Sequence, residues 1–141
     1  MINLPFEQRL ASWRDFRLTL ETAEDPLQDC IDFWNSVPEV SFQADPYEQS
    51  SWPDPWQMIE ENIYCAFVKI LAICYTLQLT DRFTQAKIEI HITHNTEEST
   101  TQYLLFVDDR VIGFKGDTHV ARSELSKNLK SQQSYSMSPL Q

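Results

Sequence analysis

The longest apolar stretch of the chain runs from Cys65 to Leu79 and reads CAFVKILAICYTLQL. Apolar residues recur at helical spacing along one face, and further apolar residues cover most of the remaining circumference. A helix that is apolar nearly all round must be covered by neighbours on every side. The stretch is too short to span a bilayer and contains Lys69 and Gln78, so we predict a central, buried helix in a globular fold.

Three Asp-Pro-X-Gln/Glu repeats stand upstream of this stretch: DPLQ at 25–28, DPYE at 45–48 and DPWQ at 54–57. In each copy Asp can cap a helix, Pro fits its first position, and Gln or Glu can return a hydrogen bond from the third. We therefore predict a helix from Asp25 to about Ser36 and a single helical turn at Asp45. A long helix from Asp54 to about Leu79 follows, with a candidate interruption near Asn62. A further amphipathic helix is predicted over 5–21.

The second half of the sequence changes to strand patterns. Residues 86–94 alternate strictly, with Ile88, Ile90 and Ile92 on one face, and residues 102–114 contain two strands joined by a turn at Asp108-Asp109. We also predict a short C-terminal helix over 118–130 and a flexible tail over 131–141. With only two glycines in the chain, an α+β fold is favoured over a β-sandwich. We expect one domain over 1–130, followed by the tail.

The charge is unevenly distributed. The net charge of −10 arises within residues 1–62, and eleven acids but no Lys or Arg lie between Leu18 and Val68. Such a surface disfavours direct contact with a nucleic-acid backbone. The start of the sequence lacks the features of a signal peptide and the three cysteines show no CxxC spacing, so we expect free thiols in a reducing cytoplasm.

Cys65 is the candidate nucleophile, because it precedes a helix that is followed by strands. This order resembles the core of transglutaminase-like and papain-like enzymes. The resemblance implies a histidine at the start of the second strand, where this chain has Thr101-Gln102-Tyr103, and a polar partner on the third, where it has Gly113-Phe114. If the helix begins at Asp54, Cys65 also lies in mid-helix. The alternatives are a thiol enzyme, its inactive relative, or a buried core cysteine.

We predict neither a metal site nor a cofactor. His91 and His94 are three positions apart on a strand and therefore point to opposite faces, with His91 toward solvent. Asp108-Asp109 lacks further oxygen ligands at a recognisable spacing.

The candidate binding surface is an aromatic and acidic segment. Trp52, which stands in a loop, can pack on the start of the central helix or anchor a partner. We predict that aromatic anchors and an acidic rim contact a protein partner: Trp52, Trp56 and Tyr47, with Glu48, Asp54, Glu60 and Glu61.

The block SWPDPWQMIEENIYCAFVKILAICYTLQLTDRF with the following VDD segment resembles small uncharacterised proteins of tailed bacteriophages. The resemblance covers about Ser51 to Phe114 and implies a phage origin without an established activity.

We therefore predict a non-enzymatic phage protein that acts through protein contacts, as a minor virion or assembly component or as a modulator of a host factor. It would reside in the host cytoplasm or on the virion, without membrane or direct nucleic-acid binding; self-association stays open. The alternatives are a cysteine-dependent enzyme that uses Cys65, and an acidic nucleic-acid mimic that binds a basic host protein.

Overall fold

The computed structural model describes residues 1–140, in which four α-helices precede a five-stranded sheet. Helix α1 spans Phe6–Leu20, α2 Pro26–Asn35, α3 Pro55–Glu61 and α4 Ala66–Gln78. The strands are β1 Ile88–Asn95, β2 Thr100–Val107, β3 Arg110–Lys115, β4 Thr118–Ala121 and β5 Leu129–Ser136. Single 3-10 turns occur at Gln49–Ser51, Asp81–Phe83 and Arg122–Glu124. The predicted α+β class is confirmed.

Two of the three Asp-Pro repeats begin helices as predicted. Asp54 accepts a hydrogen bond from the Gln57 amide at 2.8 Å, and the Gln57 side chain returns one from the Asp54 amide at 3.0 Å, which completes a capping box. Asp25 caps α2 by accepting from the Gln28 amide at 3.2 Å. The Gln28 side chain does not return this bond; its amide nitrogen donates to the Asp32 carboxylate and the Asp117 carbonyl.

The prediction for the DPYE repeat is wrong. The amides of Tyr47 and Glu48 donate to the side-chain and backbone oxygens of Asp45, at 2.9 and 3.1 Å. Both Asp45 oxygens therefore close a tight turn instead of capping a helix. The next helical turn begins only at Gln49.

The long helix predicted from Asp54 to Leu79 is two helices, broken at the anticipated position. Asn62 ends α3 in the left-handed conformation, with φ of 57°, and its side-chain amide donates to the Ile2 carbonyl at 2.8 Å. Asparagine tolerates this conformation better than most residues. The chain then extends to Cys65, which is the N-cap of α4.

The sheet is antiparallel throughout, in the order β4-β3-β2-β1-β5. The turn at Asp108-Asp109 between β2 and β3 is confirmed. Ile88, Ile90 and Ile92 are buried on the inner face of β1, as the alternation predicted.

The C-terminal predictions are wrong. Residues 118–130 do not form a helix: Thr118–Ala121 pair with β3 after a turn at Gly116, whose φ is +49°. Most of the predicted tail is also structured, because Leu129–Ser136 pair with β1. An edge strand is held through its backbone and needs few apolar side chains, so its composition resembled that of a tail. Gln141, the last residue of that tail, lies outside the described residues.

Helix α4 is the centre of the fold, with α2 and the inner face of the sheet packed against it. Ten of its residues are buried, as expected for a helix that is apolar nearly all round. A second, smaller apolar cluster lies on the outer face of the sheet: Leu104, Phe106, Val111 and Val120. Among residues 1–140, no helix is long and apolar enough to cross a membrane.

Candidate functional site

Cys65 lies at the N-terminus of a helix, not in the middle of one. Its backbone is extended, with φ of −92° and ψ of 175°, and α4 begins at the next residue. The free amides of a first helical turn favour negative charge in front of them. The break at Asn62 thus gives Cys65 the position that thiol nucleophiles use. Its side chain is nevertheless buried, with 4% of the residue exposed.

Tyr103 is the inner-face residue of β2 that packs beside the first turn of α4, close to Cys65. It pairs with Ile92 on the inner face of the sheet, and its ring centroid lies 5.3 Å from that of Phe67 on α4. Burial raises the pKa of Tyr103, and the negative charges that Cys65, Tyr47 and Asp45 can carry raise it further. The phenol therefore stays protonated near neutral pH, so it is able to donate a hydrogen bond but cannot accept a proton from a thiol.

Gln102, where the sequence resemblance expects a base, has an outer-face position in the strand register but also lines the cavity described below, together with Tyr103. It pairs with Thr93, outside the row that contains Ile92 and Tyr103. Its side-chain amide donates to the Phe114 carbonyl at 3.3 Å, while its buried side-chain oxygen has no partner within residues 1–140. Gly113, near the second expected partner, has no side chain and approaches the Tyr103 carbonyl closely.

Two of the three histidines are engaged away from Cys65. His119, which sequence reasoning did not single out, accepts from the Arg110 guanidinium at 2.9 Å and lies 3.0 Å from an Asp25 carboxylate oxygen. His91 lies on the outer face as predicted, but it is partly covered. Its ring centroid is 4.4 Å from that of Phe106, and its Nδ1 is 3.1 Å from the Ser131 hydroxyl. Burial lowers the pKa of His91, although Glu89 opposes this effect.

Of the three histidines, His94 has the position that best suits a base for Cys65. Strand alternation places it on the inner face, opposite Thr101 and two pairs beyond Ile92 and Tyr103. It does not line the cavity described next.

A cavity of about 280 Å³ opens beside the first turn of α4. Ala66 and Lys69 line one side and Tyr103 and Gly113 the other. Lys69 also lies 3.6 Å from the Glu39 carboxylate, which stands at its edge. The cavity is large enough for a side chain or a small ligand; its lining contains no histidine, and its one carboxylate, that of Glu39, lies close to Lys69.

Trp52 has a structural role in the loop over this region. Its indole N–H donates to the Asp45 carbonyl at 2.9 Å, and its ring packs between Phe67 and Tyr135 with centroid distances of 5.0 and 4.7 Å. The Tyr135 hydroxyl donates to the Pro46 carbonyl at 3.1 Å. Trp52 and β5 thus fix residues 45–52 against the Cys65 end of α4, and we call this segment the 45–52 loop.

The other predicted binding residues fall into separate neighbourhoods. Tyr47 is 58% exposed on the 45–52 loop, whereas Trp56 is 51% exposed on α3 and packs against Trp13. Asp54 is used as a helix cap. The remaining acidic residues are exposed: Glu48, Glu60 and Glu61.

Of the exposed apolar side chains beside Cys65, sequence reasoning named only Tyr47. The Val40 amide donates to the Tyr64 carbonyl at 2.9 Å, so the segment after Pro38 runs alongside the residues that lead to Cys65. We call the exposed apolar residues of this region the Cys65 rim: Val40, Phe42, Tyr47 and Ile63, which are 42%, 67%, 58% and 43% exposed. The sequence signal for this surface was the alternation of apolar Val40 and Phe42 in a connector that contains no Lys or Arg.

The remaining thiols are buried inside the core. Burial raises the pKa of Cys30 and of Cys74, so both stay protonated. Within residues 1–140 no group of three or more His, Cys, Asp or Glu side chains is arranged to hold a metal ion.

Comparison with known proteins gives structural likeness only. The chain superimposes on Legionella pneumophila LapG with a TM-score of 0.68 at 13% identity, over 92% of this chain and 74% of that one. A calcium-bound structure of Legionella pneumophila LapG matches with a TM-score of 0.61 at 14% identity, over 91% and 74% of the two chains. No protein-family model and no curated protein matches the sequence. The fold is therefore LapG-like.

Proposed function

We propose that this protein is a non-catalytic relative of the LapG-like fold that binds a protein partner through the Cys65 rim. LapG has a transglutaminase-like cysteine protease fold, in which a cysteine at a helix N-terminus suits a nucleophile. The observation that carries the proposal is the Cys65–Tyr103 pair. The Tyr103 ring packs against Phe67 in the first turn of α4, with centroids 5.3 Å apart, and lines a cavity together with Ala66. A phenol therefore stands near Cys65 where acyl transfer needs a base.

The Cys65 rim supports a binding role. Exposed apolar side chains next to a closed site are the kind of surface that protein interfaces cover. Glu39 and Glu48 are exposed on the same connector, and no Lys or Arg occurs between Leu18 and Val68. These charges favour a partner with a basic surface around an apolar contact.

A photo-crosslinking amino acid at Phe42 tests the binding role. We expect the crosslinker to capture a defined partner from the cells in which the protein is expressed naturally. A Phe42→Ser variant without the crosslinker should no longer bind that partner. The crosslinker at Leu18, which is 60% exposed on α1, is the matched control. Equal capture from both positions, or retention of the partner by Phe42→Ser, contradicts the proposal.

Labelling with iodoacetamide tests the non-catalytic role. We expect Cys65 in the native protein to react no faster than buried Cys30 and Cys74, and all three to react after denaturation. Rapid native labelling of Cys65, together with hydrolysis of a peptide substrate that Cys65→Ala abolishes, rejects the proposal.

The second candidate function is a cysteine-dependent enzyme, which the helix N-terminal position of Cys65 favours. His94 is then the base to test, since it lies on the same face as Tyr103. An enzyme of this kind loses activity with either Cys65→Ala or His94→Ala, whereas Tyr103→Phe leaves the base intact.

A phage origin, with a virion-associated or host-directed role, stays a prediction. Flanking tail or neck genes favour a virion component, and flanking early genes favour a modulator of a host factor. The nucleic-acid mimic also stays an alternative. It predicts binding to a DNA- or RNA-binding protein that weakens steeply with added salt.

A further inference from the structure

A groove runs along the surface of α1, away from Cys65. One side is formed by residues at helical spacing on α1, and the exposed ring of Trp56 stands at one end. The groove has a volume of about 390 Å³, and a smaller hollow of about 130 Å³ continues past the same two arginines toward Glu21. We call this surface the α1 groove, lined by Leu10, Ala11, Arg14, Arg17 and Trp56.

The two arginines of the α1 groove have no anionic partner. Within residues 1–140 neither Arg14 nor Arg17 forms a salt bridge, and the buried Nε of Arg17 has no hydrogen-bond partner. Burial lowers the pKa of Arg17, and the like charge of Arg14 lowers it further. A buried guanidinium donor without an acceptor is costly, so a site for an incoming anion accounts for the arrangement.

The third arginine of the N-terminal half shows the contrast. Arg9 is buried, and its guanidinium donates to the carbonyls of Leu4, Ile59 and Glu60 at distances from 2.6 to 3.2 Å. Its donors are therefore used for the fold. Arg14 and Arg17 are the only other bases among residues 1–62, which hold thirteen acids.

The aromatic end of the groove supplies an apolar contact. The Trp56 ring is 51% exposed, and its centroid lies 5.9 Å from that of Trp13 in an edge-to-face arrangement. The Arg17 guanidinium lies 4.4 Å from the centroid of the Trp13 ring, the other member of this aromatic pair. This packing fixes both the guanidinium and the aromatic wall before any ligand arrives.

We propose that the α1 groove binds a peptide segment in which a carboxylate side chain stands next to an apolar residue. The carboxylate is held by Arg14 and Arg17, whose guanidinium groups suit its planar shape. The apolar side chain lies against Trp56 and Leu10. The stripe from Leu10 to Glu21 is about 16 Å long at the helical rise, which matches about five residues of an extended peptide.

The surroundings of the groove favour a single carboxylate over a polyanion. Glu21 and Asp81 line the hollow beyond the two arginines, and the N-terminal half as a whole is strongly acidic. A nucleic-acid backbone or a polyphosphate would bring further negative charges against these residues. A single carboxylate can bind both guanidinium groups without bringing further negative charge against Glu21 and Asp81.

Selection from a displayed library of random peptides against the full chain tests this proposal. We expect enrichment of peptides with Asp or Glu beside Leu, Phe or Trp. The synthetic form of the enriched peptide should bind at least about tenfold more weakly to the Arg14→Gln, Arg17→Gln double variant by calorimetry, because two charge-assisted hydrogen-bond donors are removed. Arg122→Gln, which makes the same change on the sheet side, should bind like the parent chain.

Circular dichroism of each variant establishes that the fold is retained, and Arg14→Gln alone serves if the double variant fails to fold, because Arg14 is exposed. Trp56→Ser should retain selection for the acid and lose selection for the apolar neighbour. Enrichment without acidic residues, no enrichment at all, or affinity unchanged by the arginine variants overturns the proposal. Tighter binding of a single-stranded oligonucleotide at the same arginines also overturns it.

Discussion

The indole N–H of Trp13 donates to the Thr76 hydroxyl across 2.9 Å, in a site where both residues are fully buried. The same oxygen accepts a second indole N–H, from Trp34 at 3.0 Å, and the hydroxyl donates to the Ala72 carbonyl at 2.6 Å. All hydrogen-bonding capacity of this hydroxyl is thus used. One atom of α4 thereby fixes both α1 and α2.

Thr76→Val should strongly destabilise the fold, because it leaves two buried indole donors without an acceptor. We expect a loss of about 3 kcal/mol in the free energy of unfolding, measured by urea denaturation with tryptophan fluorescence. Thr76→Ser keeps the hydroxyl and should cost less than half as much. Similar losses for the two variants would mean that packing, not the shared acceptor, decides the effect.

Gly113→Ala should destabilise the β2–β3 region. Gly113 has a φ of +102°, and an added Cβ would collide with the Tyr103 backbone carbonyl. The expected cost is about 2 kcal/mol in thermal or chemical unfolding. Gly116→Ala is the matched variant, since its φ is +49° and open space surrounds the added carbon. It should cost less, and an equal or larger cost at Gly116 would contradict the steric explanation.

Asp25 should make the fold sensitive to acid. Burial acts to raise its pKa, but hydrogen bonds from the Gln28 amide and the His119 ring, with the charge of Arg110, hold it below its ordinary value of 3.8. A carboxylate with a lowered folded-state pKa contributes stability that is complete above the unfolded-state value and is lost as the pH falls through the folded-state value.

Urea midpoints measured from about pH 6 to about pH 2 test this contribution. Asp25→Asn keeps a capping oxygen and removes the charge, so its stability should fall less than that of the parent chain over the acid limb. Asp15→Asn, an exposed aspartate on α1, should follow the parent chain. Parallel curves for Asp25→Asn and the parent would show that Asp25 carries no such linkage.

Tyr135→Ala should open the cover over Cys65. It removes the contact with the Trp52 ring at 4.7 Å and the hydrogen bond to the Pro46 carbonyl at 3.1 Å. We expect iodoacetamide to label Cys65 in the native variant several-fold faster than in the parent chain. Gln133→Ala, on the exposed part of the same strand, should not change the rate. Unchanged labelling of Tyr135→Ala would mean that Cys65 is protected by other contacts.

The helices and the first three strands could be predicted because each depends on local pattern. Asp54 and Gln57 are near in sequence, and the isoleucines of β1 alternate within a few residues. Strand β5 could not be predicted in this way. Its partner β1 lies about forty residues earlier, and its Ser and Gln side chains reflect an exposed edge rather than disorder.

The site was predicted only in part, for a similar reason. The helix–strand order made Cys65 a candidate, but its place at a helix N-terminus depends on one residue, Asn62, with a left-handed backbone. The role of Trp52 could not be decided from sequence, since Asp45 and Tyr135 approach it from distant parts of the chain. Arg17 likewise indicated a binding site only after the structure showed that its buried Nε has no hydrogen-bond partner within residues 1–140.

The contact between Trp52 and Tyr135 links the cover over Cys65 to the last strand of the sheet. Tyr135 follows all four helices and the other four strands along the chain, so the 45–52 loop lacks this support until β5 has paired with β1. We therefore expect the Cys65 thiol to react faster with alkylating agents in a chain whose β5 has not yet paired. The extent of folding, and not only the sequence, would then set the reactivity of this cysteine.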